Sequence, residues 1–144
     1  MLGTIAGDVI GSIYEGDRIK DTGFPLFSRW SRFTDDTVLT IATAQALLTG
    51  RPYGDVYHDF GSRYPHAGYG GAFRQWLSRG DRLPYGSFGN GSAMRVGPVG
   101  LAMRTIDDVR IARPTGPTRM AEPFPKLPYG RRSPRDSHWR KAPP

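Results

Sequence analysis

The run Phe33-Thr34-Asp35-Asp36-Thr37 sets two adjacent carboxylates between hydroxyl side chains. It stands immediately ahead of an apolar stretch holding Val38, Leu39, Ile41, Ala42, Leu47 and Leu48. Two like charges side by side are costly unless a cation or hydrogen-bond donors offset them. A helix start supplies donors, because its first backbone N–H groups have no intrahelical partner. One reading of the run is therefore a helix N-cap. The other is a hard-cation site, since carboxylate and hydroxyl oxygens are what Mg²⁺ or Mn²⁺ selects.

A second pair of acids lies upstream. Asp8 falls within an apolar stripe formed by Leu2, Ile5, Ala6, Val9, Ile10 and Ile13, and Glu15 closes that segment. The stripe has helical spacing, so a helix over 2–15 is expected, with both acids on nearly one face. An acid in such a setting needs a partner. For Asp8 the choice is between a structural hydrogen bond to a neighbouring loop and a place in a site. Glu15 is either a surface residue or a group pointing into that site. Gly3, Gly7 and Gly11 recur on a neighbouring face, a pattern that predicts close approach of another backbone.

The remaining elements must position these acids. Residues 16–32 read as a loop containing Phe24, Phe27 and Trp30. A helix is expected over 36–49, ended by Gly50-Arg51-Pro52. A short amphipathic helix over 53–63 would turn Val56, Tyr57 and Phe60 inward. The glycine-rich turn Ala67-Gly68-Tyr69-Gly70-Gly71 then opens a helix holding Phe73, Trp76 and Leu77. Such a turn lets a ligand approach the backbone and offers it N–H groups. The loop over 84–92 suits no regular element, and long ordered loops are often functional. An apolar pattern resumes from Ala93 to Met103, with a bend expected at Pro98. Thr105-Ile106-Asp107-Asp108 has the form of a capping box.

Four stretches occur in one order: Gly7-Asp8 with Gly11 and Glu15, Phe33-Thr34-Asp35-Asp36-Thr37, Ala67-Gly68-Tyr69-Gly70-Gly71, and Ser87-Phe88-Gly89-Asn90-Gly91-Ser92-Ala93-Met94-Arg95. Together they resemble the ADP-ribosylglycohydrolase family over about residues 1–109. The resemblance implies an all-α fold and Mg²⁺- or Mn²⁺-dependent hydrolysis of the bond joining ADP-ribose to an acceptor, with two ions in the complete site. The partner would be an ADP-ribosylated protein or a small-molecule ADP-ribose conjugate. Thr34, Asp35 and Asp36 would supply half of the metal ligands. Glu15 would act on the leaving group or on water. Gly86, Ser87, Phe88 and Asn90 would hold the pyrophosphate and stack the adenosine, while Gly70 and Gly71 would admit the distal ribose. The family pattern continues with a histidine-containing segment and a second acidic cluster of Asp-x-Asp-Thr type, and neither occurs in these 144 residues. The expectation is thus a truncated, impaired hydrolase. The alternative is a non-catalytic ADP-ribose or nucleotide binder.

Composition bounds the rest. With no cysteine there is neither a disulfide nor a Cys-ligated zinc site. No signal peptide or membrane span is read, which makes a cytoplasmic protein the default. The net charge of +7 comes wholly from residues 110–144, which hold 9 Lys and Arg against 2 Asp and Glu, together with 8 of the 13 prolines. Residues 1–109 are balanced at 11 of each sign, so the charge does not describe the candidate domain. The tail reads as disorder. Because the change of regime falls within the helix expected after Thr105, it also reads as out-of-frame sequence. Nucleic acid is not the expected partner, as no aromatic or glycine pattern accompanies the basic residues.

Overall fold

The computed structural model describes residues 1–16, 19–80, 82, 85 and 91–107. Six helices follow in chain order: α1 (Leu2–Gly11), α2 (Asp35–Thr49), α3 (Tyr53–Arg63), α4 (Gly71–Arg79), α5 (Gly91–Met94) and α6 (Val96–Ala102). No strand occurs among the described residues, and the fold is all-α as expected.

The centre of this arrangement is α2, which packs against α1, α3, α5 and α6. Val38, Leu39, Ala42, Ala46 and Leu47 are buried along it, and so are Thr37, Thr40 and Thr43. Burying a side chain such as Leu39 contributes about 1.5–3 kcal/mol. The small residues Ala42, Ala46 and Thr43 let neighbouring helices come close. Thr43 Oγ1 donates to the Leu39 carbonyl at 2.8 Å and shares a 2.9 Å hydrogen bond with the Tyr57 hydroxyl of α3, so its polarity is satisfied inside the core. Gly50 ends the helix in the left-handed region, at φ 69°, where its N–H reaches the Ala46 carbonyl. An aromatic set from α3, α4 and the turn between them completes the core: Tyr53, Tyr57, Tyr69, Phe73 and Trp76.

Three sequence expectations need correction. Helix α1 stops at Gly11 and passes into turns, so Asp8 and Glu15 do not share a helix face. A Cβ placed on Gly3, Gly7 or Gly11 would meet nothing within 4 Å, so these glycines make no close backbone contact among the described residues. The Ala93–Met103 stretch breaks at Arg95, not at Pro98. The proline lies in the first turn of α6, where its missing N–H costs no intrahelical bond. On α2, Leu47 is buried, because the helix turns it toward the core. Leu48 remains 68% exposed. The segment 110–144 and the continuation of the helix expected after Thr105 lie outside the described residues.

Candidate active site

Thr34 is the N-cap of α2. Its Oγ1 accepts from the Asp36 backbone N–H at 3.3 Å and donates to Asp8 Oδ1 at 2.5 Å. The other Asp8 oxygen accepts from the Thr34 N–H at 2.8 Å and from the Thr37 N–H at 3.1 Å. Asp8 therefore reaches across from α1 and satisfies the free donors at the head of α2. The upstream acid has the structural partner that its apolar helix required, and that partner is the acidic motif itself.

This division of labour leaves the Asp36 side chain free of capping duty, while the Asp35 carboxylate takes a hydrogen bond from its own backbone N–H. Among the described residues the ion pairs are Arg51–Asp59 at 2.6 Å and Arg82–Asp55 at 3.2 Å, and neither touches the acids at the head of α2. Burial, then the Asp36 charge, pushes the Asp35 carboxyl up to about 6. Asp36 is raised by burial and by Asp8, against a lowering pull from the Arg95 guanidinium. Glu15 is exposed, yet its carboxyl is also raised, by desolvation and then by Asp36 and Asp8, with Arg32 opposing. Four carboxylates thus repel one another at one end of the helix bundle.

The turn before α4 forms the neighbouring wall. Gly68, at φ 97°, adopts a backbone that a side chain rarely permits, and a Cβ there would lie 3.8 Å from Asp35 Oδ1. The next residue, Tyr69, is buried with its hydroxyl unpartnered, and burial and the Asp35 charge push its phenol up to about 12. Gly70 caps α4 and Gly71 begins it. Both are exposed, with open space where a Cβ would be, so the backbone at the start of α4 is bare. Gly86, Ser87, Phe88 and Asn90 lie outside the described residues.

A divalent cation can be tested against this donor set. The set is entirely oxygen, it carries excess negative charge, and Thr37 Oγ1 is buried nearby without a hydrogen-bond partner. Thr34 Oγ1, with one donor and one acceptor role filled, retains one lone pair. In chemistry these oxygen donors suit a hard divalent cation. In number it falls short. No group of three or more acidic, histidine or cysteine side chains among the described residues is arranged to hold a metal ion.

The ADP-ribosylglycohydrolase family model matches residues 1–116. The chain belongs to the ADP-ribosylglycohydrolase family. Curated relatives include the ADP-ribosylhydrolase ARH3 of Bos taurus, 31% identical over 145 aligned residues that cover 76% of this chain and 40% of the relative. The ARH3 proteins of Mus musculus and Homo sapiens are 31% and 30% identical, with 39% and 40% of their lengths covered. The chain therefore spans about two fifths of the length of these relatives. No solved structure matches it.

Two residues of this candidate site carried little signal in the sequence. Arg95 appeared only as the last residue of a glycine-rich motif. Thr37 appeared as a hydroxyl beside two acids, with nothing to mark it as buried and unpartnered. No helix among the described residues is long and apolar enough to cross a membrane.

Proposed function

We propose that the chain is the N-terminal part of an ADP-ribosylglycohydrolase that binds ADP-ribose conjugates and contributes one half of a Mg²⁺ or Mn²⁺ site. The observation that carries this reading is the unpaired acidic cluster at the head of α2, with the Asp35 carboxyl raised to about 6. Asp35 and Asp36 would hold the ion, with Thr34 fixing the helix start between them and Asp8. When bound, the ion would offset the carboxylate charge and polarise oxygen atoms of ribose or water.

The rest of the chemistry belongs to the chain's own groups. In hydrolysis the bond from the anomeric carbon of ribose to the acceptor breaks and a bond to water oxygen forms, through an oxocarbenium-like transition state. Glu15, held above its ordinary carboxylate range, is suited to move a proton between that water and the departing acceptor. Gly70 and Gly71 would admit the ribose. Gly86, Ser87, Phe88 and Asn90 would hold the diphosphate and adenosine. The partner is then an ADP-ribosylated protein or a small-molecule conjugate.

A second reading, a binder of ADP-ribose without hydrolysis, is favoured by one observation. The described acids do not by themselves make a three-ligand metal group. Titration calorimetry of ADP-ribose with and without Mn²⁺ separates the two. The hydrolase reading expects binding that strengthens with Mn²⁺, and expects Asp35→Asn combined with Asp36→Asn to abolish Mn²⁺ binding with helicity retained. Affinity for ADP-ribose that ignores Mn²⁺ would leave the simple binder. Retained Mn²⁺ affinity in the double variant would overturn the ligand role of the two aspartates.

A further inference from the structure

One face of α2 carries Asp36, Thr40 and Thr43, spaced four and then three residues apart, so the three side chains lie in one row. Thr40 Oγ1 donates to the Met94 carbonyl at 3.0 Å, which fastens α5 onto that row. Thr43 Oγ1 meets the Tyr57 hydroxyl, and the Arg95 guanidinium lies over the Tyr57 ring, 4.8 Å from its centroid. The residue that follows Met94 is therefore held against the same helix face one to two turns below Asp36.

The Arg95 side chain is confined there. It is half-buried, and its Nε has no hydrogen-bond partner. A Cβ on Gly91 would collide with its Nη2, so the glycine makes room for the guanidinium. A cation confined on an aromatic face is favourable there, and Arg is the cation whose flat head suits such stacking. It does so without an ion pair of its own within 4 Å among the described residues. The acids at the head of α2 likewise lack an ion-paired cation. The guanidinium hydrogen-bonds the Tyr57 hydroxyl, a neutral partner that leaves its charge uncompensated, and half-buried charges act on one another over longer distances than exposed ones, because water screens them less.

We propose that Arg95 is a positioning residue, the resident counter-charge of the acidic cluster, held on Tyr57 beside the Asp36–Thr40–Thr43 row. In the metal-free molecule it offsets part of the repulsion among the carboxylates. A divalent cation then binds against its field. The depressing pull of the guanidinium on Asp36 agrees with this placement. The role goes beyond the hydrolase reading, because it concerns the cluster of acids whatever ligand the cluster takes.

The test is a double-mutant cycle on the full chain in EDTA, which needs no ligand. Arg95→Gln is expected to lower the Tm by about 5 °C in the wild-type background. In the Asp36→Asn background the same change should cost less than half as much. Arg95→Lys, which keeps the charge, should stay nearer the wild type than Arg95→Gln. Additive losses in the cycle, or equal losses for Lys and Gln, would mean that Arg95 only fills space and would overturn the proposal. A second measurement uses Mn²⁺ alone. Removing the local positive charge with Arg95→Gln is expected to raise Mn²⁺ affinity by about threefold to tenfold, whereas a fall in affinity would overturn the counter-charge role. A wild-type chain that binds no Mn²⁺ would count against the metal half-site and leave the metal-free cycle to decide on Arg95.

Discussion

Asp35→Asn separates a carboxylate that serves the fold from one that burdens it. Burial and the Asp36 charge push the folded-state carboxyl up to about 6 from an ordinary value of 3.8. A group whose pKa is raised on folding contributes stability below its unfolded pKa and loses it as pH rises through the folded pKa. In the metal-free chain that loss falls between about pH 4 and about pH 6. Taken at face value the shift is worth about 3 kcal/mol at neutral pH. The side chain is only half-buried, so solvent screening reduces this to about 1–1.5 kcal/mol. Losing a negative charge from the first turn of a helix returns about 0.5 kcal/mol in the other direction. The net expectation is that Asp35→Asn stabilises the metal-free chain at pH 7 by about 0.5–1 kcal/mol, a Tm rise of about 3–6 °C. Near pH 4, where the wild-type carboxyl is protonated when folded, the gain should vanish. Circular dichroism melts in EDTA at the two pH values measure this directly. A variant less stable than wild type at pH 7 would refute the reasoning, because it would make Asp35 a helix-stabilising group and not an uncompensated charge.

Other perturbations address separate parts of the structure. Asp8→Asn keeps the size of the side chain but loses the charge and one acceptor that serve Thr34 and Thr37, and should cost about 1–3 kcal/mol in denaturant melts. An unchanged midpoint would mean that water replaces those bonds. Gly54→Ala would bring a Cβ to 2.7 Å from the Arg82 carbonyl oxygen, and backbone has little room to yield. A loss of about 1–3 kcal/mol is expected, and a neutral effect would show that the chain around Arg82 shifts freely. Ser87→Ala should weaken ADP-ribose binding by about 1–3 kcal/mol if its hydroxyl meets the diphosphate. Equal affinity in calorimetry would remove the serine from the site.

Much of the helical frame was legible in the sequence because it rests on local signals. The apolar spacing of α2, the Gly50 stop and the glycine-rich entry to α4 each follow from backbone preferences that act within a few residues. The head of α2 was only half legible. Capping and cation binding stood there as rival readings of one motif. The structure assigns the cap to Thr34 and its support to Asp8, so the cap itself does not require the Asp36 side chain. That outcome depends on a contact across 26 residues, which no window of sequence contains. The α1 glycines misled for a related reason, since a glycine repeat promises a close neighbour without saying that one is there. Arg95 stood in the sequence only as the end of a motif, because its place is set by Tyr57, far away in the chain on α3.

The Asp8 link has a consequence for the order in which the chain comes apart. No residue of α1 is buried, so little apolar burial holds it down. Its best-defined attachment to α2 is one carboxylate that accepts three hydrogen bonds at the helix cap. Helix α1 is therefore a candidate for the first cooperative unit to detach, as the less buried parts of a fold open at lower free energy than its core. When it leaves, it takes the support of the cap with it, and the first turn of α2 becomes free to fray. Backbone amides at Thr34 and Thr37 would then exchange with solvent in step with those of α1, while the turn of α2 around Thr43 stays closed. The acidic motif sits on the seam between a helix with no buried residue and the helix at the centre of the packing, and its order is borrowed from the former.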